Sequence, residues 1–316
     1  MDKPFLSFQD QLRKLEVDYK LTIIDRDFAL MALSTVSYYD LINGYKSLFM
    51  INNEFMPGIS MEFLFSTHMY NKSIQGVLFK YSMYAENSFK TILSYIISEK
   101  YGVLSEEYLH KRNYKFQKDS FNKKRMNELL HKLSETCRVC KDTPTSHYRL
   151  TKNHIPPWIL FRNVSFSDVS NLFDFLKPDD KTILISYFDA FHKGDIDLQE
   201  AIRTMKSCLT IVRKFRNQIA HNLTFMDYRC VSLRTAANRL FEETLVARHE
   251  IDKTRDDIWS LIISMVILLN NKFLIYNFLT EFNSYMLAQP ELIETYCHFT
   301  GIPKDFDRRI VNYLGI

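Results

Sequence analysis

A chain of 316 residues with 46% apolar content is long enough to bury one large core or two smaller ones. Only 7 Gly and 8 Pro punctuate it, too few for the tight turns of a sheet-rich protein, so the composition predicts an all-α fold. Lys and Arg number 41 against 37 Asp and Glu, a formal charge of +4 that excludes no partner by its total and directs attention to where the charge lies.

Residues 1–58 predict a small helical N-terminal unit. Ser7 offers an N-cap ahead of the apolar stripe Phe8, Leu12 and Leu15, and Asp27 to Tyr39 offers a second helix with Phe28, Met31 and Val36 inward. Met56-Pro57-Gly58 then breaks the pattern. Glu62 to Lys100 carries the longest helical periodicity, with Met69, Ile74, Val77, Leu78, Tyr81, Ala85, Phe89, Ile92 and Ile96 on one face. Lys90 follows Glu86 by four, an order that stabilises a helix by a few tenths of a kcal/mol. Residues 59–240 read as the core, with a basic insertion at 110–141, and 241–316 as helices packing on it.

Between His110 and Lys141, ten Lys and Arg, among them Lys111, Arg112, Lys115, Lys123, Lys124 and Arg125, face only Asp119, Glu128 and Glu135. That balance of +7 exceeds the +4 of the whole chain. Tyr114, Phe116 and Phe121 interleave with these cations, a pattern suited to gripping RNA phosphates while rings stack on unpaired bases. A solvated basic surface would give the same pattern. Cys137 and Cys140 have metal-ligand spacing, but His147 and His154 are too far apart for a finger and no second CxxC exists, so no metal and no cofactor is expected. The five cysteines fit reduced thiols. Trp158, after Pro156-Pro157, reads as a core residue at a helix start. Asp174 to Asp180 reads as a linker, and a further helix leads through His192-Lys193-Gly194-Asp195 toward the next segment.

Ile202, Met205, Leu209, Val212, Ile219 and Leu223 keep helical spacing, and the opposite face gathers Arg213, Lys214, Arg216, Asn217, Gln218 and His221. Asn217 and His221, four apart, share a side of that helix. Imidazole can take the proton of a ribose 2′-hydroxyl or return one to the leaving 5′-oxygen, and a guanidinium can brace the phosphorane with paired N–H donors. The set therefore suits RNA cleavage without a metal, Arg216, Asn217 and His221 being the catalytic candidates and Arg213 adjacent to them. A surface histidine beside a solvated basic stripe remains the plain alternative. Beyond it, residues 226–250 predict an arginine-rich helix and Ile258 to Leu279 a strongly apolar one, central to the bundle or covered by another subunit. The longest apolar run, Leu261 to Leu269 interrupted by Ser264, is far short of the roughly 20 residues of a membrane span. No secretory signal opens the chain, and a cytoplasmic protein is expected.

Arg216-Asn217-Gln218-Ile219-Ala220-His221 resembles the Arg-x4-6-His motif of HEPN ribonucleases, in which a polar residue follows the arginine. Val36-Ser37-Tyr38-Tyr39-Asp40-Leu41-Ile42-Asn43-Gly44-Tyr45 resembles the signature of Abi-like abortive-infection proteins of the AbiD and AbiF type, with Asp40 where that family often carries arginine. Ala85 to Lys90 with Tyr101-Gly102, and His147-Tyr148 with Ile155 to Ser167, are similar to two further stretches of the same family. The resemblance implies a HEPN-like helical bundle in which Glu86 and Lys90 approach the Arg/His site. It further implies an endoribonuclease toxin of phage defence, bound and inhibited by a structured small non-coding RNA, with cellular RNA as substrate. HEPN folds commonly pair their motifs across a two-fold axis, so a homodimer is expected. A non-catalytic RNA-binding HEPN module, and more distantly a helical protein-interaction scaffold, are the competing readings.

Overall fold

The computed structural model describes residues 4–192 and 196–315, so Lys193, Gly194 and Asp195 lie outside it. Among the described residues the fold is all-α apart from one hairpin, Met50–Ile51 paired with Glu54–Phe55, closed by Asn52 and Asn53 at φ 50° and 70°. Two successive positive φ angles make the two-residue turn that matches strand twist, and asparagine tolerates them. Among the described residues no helix is long and apolar enough to cross a membrane.

The chain divides into two compact units that are not the sequential blocks 1–58, 59–240 and 241–316. One comprises Met1–Phe79, Asn217–Tyr228 and Thr280–Lys304, the other Lys80–Arg216, Arg229–Leu279 and Asp305–Ile316. The physical reason is the helix Met61–Tyr101, which runs unbroken past residue 79 and lends one half to each. It ends where Gly102 takes φ +85° and its N–H reaches Ser98 O at 3.0 Å, the left-handed stop that glycine adopts without strain.

In the first unit, Ser7 caps Phe8–Val17 by accepting from Asp10 N, and Leu12 and Leu15 are buried, whereas Phe8 is exposed. Asp25 caps Arg26–Val36, whose buried residues are Ala29, Ala32 and Leu33. Met31 and, on the long helix, Met69 are exposed instead of inward; on Arg26–Val36 it is Ala29, Ala32 and Leu33 that take the buried face. A π-turn, Tyr39–Asn43, follows. Gly44 closes it, because a Cβ there would come within 2.5 Å of Asp40 O. Tyr70 Oη donates to Met286 O at 2.9 Å and its ring meets Tyr296 edge-on at 5.3 Å, tying in the helix Pro290–Thr300.

The second unit is built round Ile258–Leu269, of which every residue is buried. Its apolar surface is thus covered by its own chain. Asp257 caps its start, and Asn270 at φ 50° stops it, so the single helix expected from Ile258 to Leu279 is two, the next being Lys272–Met286. Phe89 packs on Phe173 at 6.0 Å, and Ser82 Oγ lies 3.3 Å from Met265 Sδ. Three other expectations change. Asp174 to Asp180 is no linker: Phe166–Phe175 is followed at once by Pro178–Ser186, with proline in the first turn where its missing N–H costs nothing. Residues 226–250 hold only Thr235–Leu240 and a 3-10 turn, Arg248–Glu250, because Asn238 Nδ2 bonds Ile251 O and Lys253 O and Glu243 sits at φ 62°. Trp158 is 47% exposed, since the four-residue helix Pro157–Leu160 turns Pro157, Ile159 and Leu160 inward instead.

Candidate functional site

Glu86 and Lys90 stand one turn apart on the second half of the long helix, and Lys90 Nζ meets Glu86 Oε1 at 2.7 Å. Lys90 also donates to Val164 O at 2.7 Å. The other carboxylate oxygen, Oε2, faces Arg216 Nη2 at 3.7 Å. Both side chains of the Glu86–Lys90 pair are nearly buried, at 12% and 13% exposure, whereas Arg216 retains 31%. One carboxylate thus sits between two cations, and the local charge stays positive. Glu86 limits the swing of the guanidinium while the arginine keeps a solvent-facing part, the state in which it can meet an anion. Arg213, on the same helix, is half-buried.

The helix Leu198–Ala220 buries Ala201, Met205, Leu209, Val212 and Phe215, whereas Leu223, placed on its apolar stripe by spacing alone, is exposed beyond its end. The boundary between the two units falls between Arg216 and Asn217, so the surroundings of Arg216 belong to one unit and those of His221 to the other. Leu223 N bonds Gln218 O and Asn222 N bonds Ile219 O, each at 3.0 Å, while Asn222 turns left-handed at φ 56°. This is the Schellman stop, with His221 as the cap residue and asparagine where glycine is usual. The exposed imidazole therefore stands on a fixed helix end. Two side chains hold that end: Lys72 Nζ donates to Asn222 Oδ1 at 2.5 Å and to Gln75 Oε1 at 3.1 Å, and Gln218 Nε2 donates to Thr224 O at 2.5 Å. Asn217 is half-buried, its carbonyl accepting from His221 N at 3.0 Å.

Next to this turn is a cavity of about 20 Å³, room for one water, lined in part by Asp40, Tyr45, His68 and Lys72. Asn71 Nδ2 donates to Tyr45 Oη at 3.3 Å, and His68 Nδ1 lies 3.4 Å from the same oxygen. Burial, then the charge of Lys72, pushes His68 down to about 4, with Asp40 acting the other way. Burial raises the Tyr45 phenol well above its ordinary range and lowers Lys72 against the opposing pull of Asp40. Sequence reasoning missed Lys72, His68 and Asn71. The signal available was polar residues at positions 68, 71, 72 and 75 on a helix otherwise apolar on that side.

The basic segment is distinct from both places. Lys111 and Arg112 lie in a 3-10 turn, Lys115 in an extended stretch, and Lys123, Lys124 and Arg125 on Ser120–Val139, capped by Asp119. Of the interleaved aromatics, Phe116 and Phe121 are exposed, but Tyr114 is buried with its hydroxyl on Tyr108 O at 3.0 Å, so only two rings can stack on a base. Arg125 is held between the Phe121 and Phe175 rings at 5.8 and 5.6 Å. Cys137 is buried against Tyr108 Oη, at 3.7 Å.

The sequence profile of the family described as Abi-like protein matches residues 31–227, which include Tyr38 to Tyr45, Glu86, Lys90, Arg216 and His221. No curated protein and no solved structure matches the chain.

Proposed function

The chain belongs to the Abi-like protein family, which ties it to abortive infection, a defence against phage, and from that premise we propose that it is a metal-independent endoribonuclease toxin of the HEPN type. The observation that carries the reading is the pairing of an arginine restrained by a nearly buried carboxylate with an exposed histidine fixed at a helix stop five residues on. His221 would move the 2′-hydroxyl and 5′-oxygen protons, Arg216 would brace the phosphorane, and Asn217 would orient a phosphate oxygen. Glu86 and Lys90 set the position of Arg216. The chemistry ends in a 2′,3′-cyclic phosphate and a 5′-hydroxyl.

The test is cleavage of end-labelled RNA by purified protein in excess EDTA. Wild type should cut, and Arg216→Ala and His221→Ala should lose cutting and cellular toxicity by at least a thousandfold while keeping helical content. Undiminished cutting by either variant, or cutting only after metal is restored, would refute the assignment.

Binding without cutting is the second reading, favoured by the exposed cations and the two exposed rings of the basic segment, and the same assay separates it. In either case the partner is RNA, and on the ribonuclease reading a structured small non-coding RNA on the basic segment is the antitoxin. Two copies, each bringing an Arg216 and a His221 to one phosphate, complete the proposal; light scattering that shows a fully active monomer at micromolar concentration would remove the dimer from it.

A further inference from the structure

The second unit contains a cleft of about 310 Å³ that none of the catalytic candidates lines. Five cations border it against one carboxylate, Asp174, leaving +4. They come from four segments. Lys115 sits in the extended stretch fixed by its N–H on Phe175 O at 2.8 Å, Arg125 on Ser120–Val139, Lys181 on Pro178–Ser186, and Arg203 and Lys206 on Leu198–Ala220.

The single carboxylate cannot neutralise them. Asp174 pairs with Lys206 at 2.9 Å, and its main-chain carbonyl takes Lys181 Nζ at 2.9 Å. Arg203 is paired with Glu200 at 3.1 Å, which does not line the cleft. Arg125 is held by neutral groups, the Phe121 and Phe175 rings with Asn122 Oδ1 at 3.2 Å and Asn171 Oδ1 at 3.5 Å, so it is positioned and keeps its charge. Lys181 is lowered by burial and by the like charges of Lys115 and Lys206, with Asp174 opposing. Crowding of like charge in a concave, partly dry site is costly in the empty protein and is relieved by an anion. A planar carboxylate is satisfied by one guanidinium fork, whereas donors converging from several sides suit the oxygens of a tetrahedral anion. The exposed ring of Phe121, 5.8 Å from the Arg125 guanidinium, puts a stacking surface beside it.

We propose that this cleft is a phosphate-binding site that holds a backbone phosphate of single-stranded RNA, with the adjoining base on Phe121. The inference rests on the reading of the protein as one that acts on RNA, and adds to it a grip away from the residues assigned to chemistry.

The experiment compares wild type with Lys115→Met/Lys181→Met, and with Lys115→Glu, an exposed change that leaves packing alone. Binding of a fluorescent 12-nucleotide RNA is titrated against potassium chloride, and thermal shift is read with inorganic phosphate and with AMP. The double variant and Lys115→Glu should each bind RNA at least tenfold more weakly, and the log–log salt slope should fall by about 0.7 per phosphate lost. Stabilisation of wild type, but not of the double variant, by millimolar phosphate or AMP, together with equal RNA affinity in the two proteins, would assign the site to a free phosphate and overturn the RNA source. Unchanged RNA affinity and slope in Lys115→Glu would overturn the site, whatever the fold of the double variant. Cleavage is scored separately: cutting with an unaffected slope refutes this cleft alone, and a lost slope without cutting refutes the ribonuclease reading alone.

Discussion

Replacing Glu86 by glutamine keeps the shape of the side chain and removes its charge from between Lys90, at 2.7 Å, and Arg216, at 3.7 Å. Removing one partner of a buried ion pair costs about 3–5 kcal/mol, because the other charge stays behind without compensation. Here the cost should be lower. Lys90 keeps its bond to Val164 O at 2.7 Å, and the Arg216 guanidinium, at 31% side-chain exposure, is partly hydrated. We expect a loss of about 2–3 kcal/mol, which at about 2–4 °C per kcal/mol lowers Tm by roughly 4–12 °C. The decisive comparison is a double-mutant cycle by urea unfolding at pH 7. Lys90→Met removes the stranded cation, so Glu86→Gln/Lys90→Met should be more stable than the sum of the single changes predicts, by about 1–2 kcal/mol. Cleavage by Glu86→Gln should fall about tenfold in kcat with little change in KM, since the arginine is misplaced but present. A Glu86→Gln loss under about 0.5 kcal/mol, with additive single changes, would show that the carboxylate does not hold these cations together.

Three further outcomes are expected. Asn222→Ala should cost about 1–2 kcal/mol, because alanine resists the φ 56° of the helix stop, whereas Asn222→Gly should lose only the Lys72 bond; equal melting of the two variants would refute the strained cap. His68 is held near 4 in the fold, facing Tyr45, Lys72 and Asp40, and an unfolded histidine takes its proton near 6.5. Its contribution is therefore complete above about pH 6.5 and is lost as pH falls through about 4, so His68→Gln should flatten the acid side of the stability profile measured by urea unfolding; parallel profiles for variant and wild type would contradict this. Neutralising Lys111, Arg112, Lys123 and Lys124, which lie outside the cleft at Lys181, should weaken binding of structured RNA and reduce its salt slope by about 0.7–0.9 per phosphate contact, and identical slopes would leave that segment as solvated surface.

Much of the helical framework was legible in the sequence. Ser7 was readable as a cap because its hydroxyl meets a backbone N–H three residues on, and the helix Met61–Tyr101 was readable because its apolar periodicity runs through Gly76 without a break until Gly102. The inward face was harder to choose. Met31 and Met69 fit the apolar spacing, but the faces that pack are set by Ala29 and Ala32 and by neighbours distant in sequence. Breaks made by asparagine were invisible, since Asn270 and Asn222 turn the chain without the Gly or Pro that announces a stop. At the candidate site, the i,i+4 pair Glu86 and Lys90 was visible as a pair, but its meeting with Arg216 depends on a contact across 130 residues of chain, which no local pattern carries. Lys115, Lys181 and Lys206 are gathered in the same way, from segments that show no common period.

The helix Ile258–Leu269 also sets the timing of folding during synthesis. Every one of its residues is buried, so the second unit has no completed interior until the ribosome has made and released this stretch. Arg216 is polymerised 53 residues ahead of Leu269, the last residue of that helix, which at about 5–20 residues per second is about 3–11 seconds of translation. Through that interval the nascent chain holds its arginine without the packed surroundings that restrain it. A chain stalled before Ile258 should be cut readily by protease between Lys80 and Arg216, and protection of that region in the stalled chain would contradict this. Because this helix follows Arg216 in the order of synthesis, the second unit closes round the arginine only after the chain has been made past Leu269.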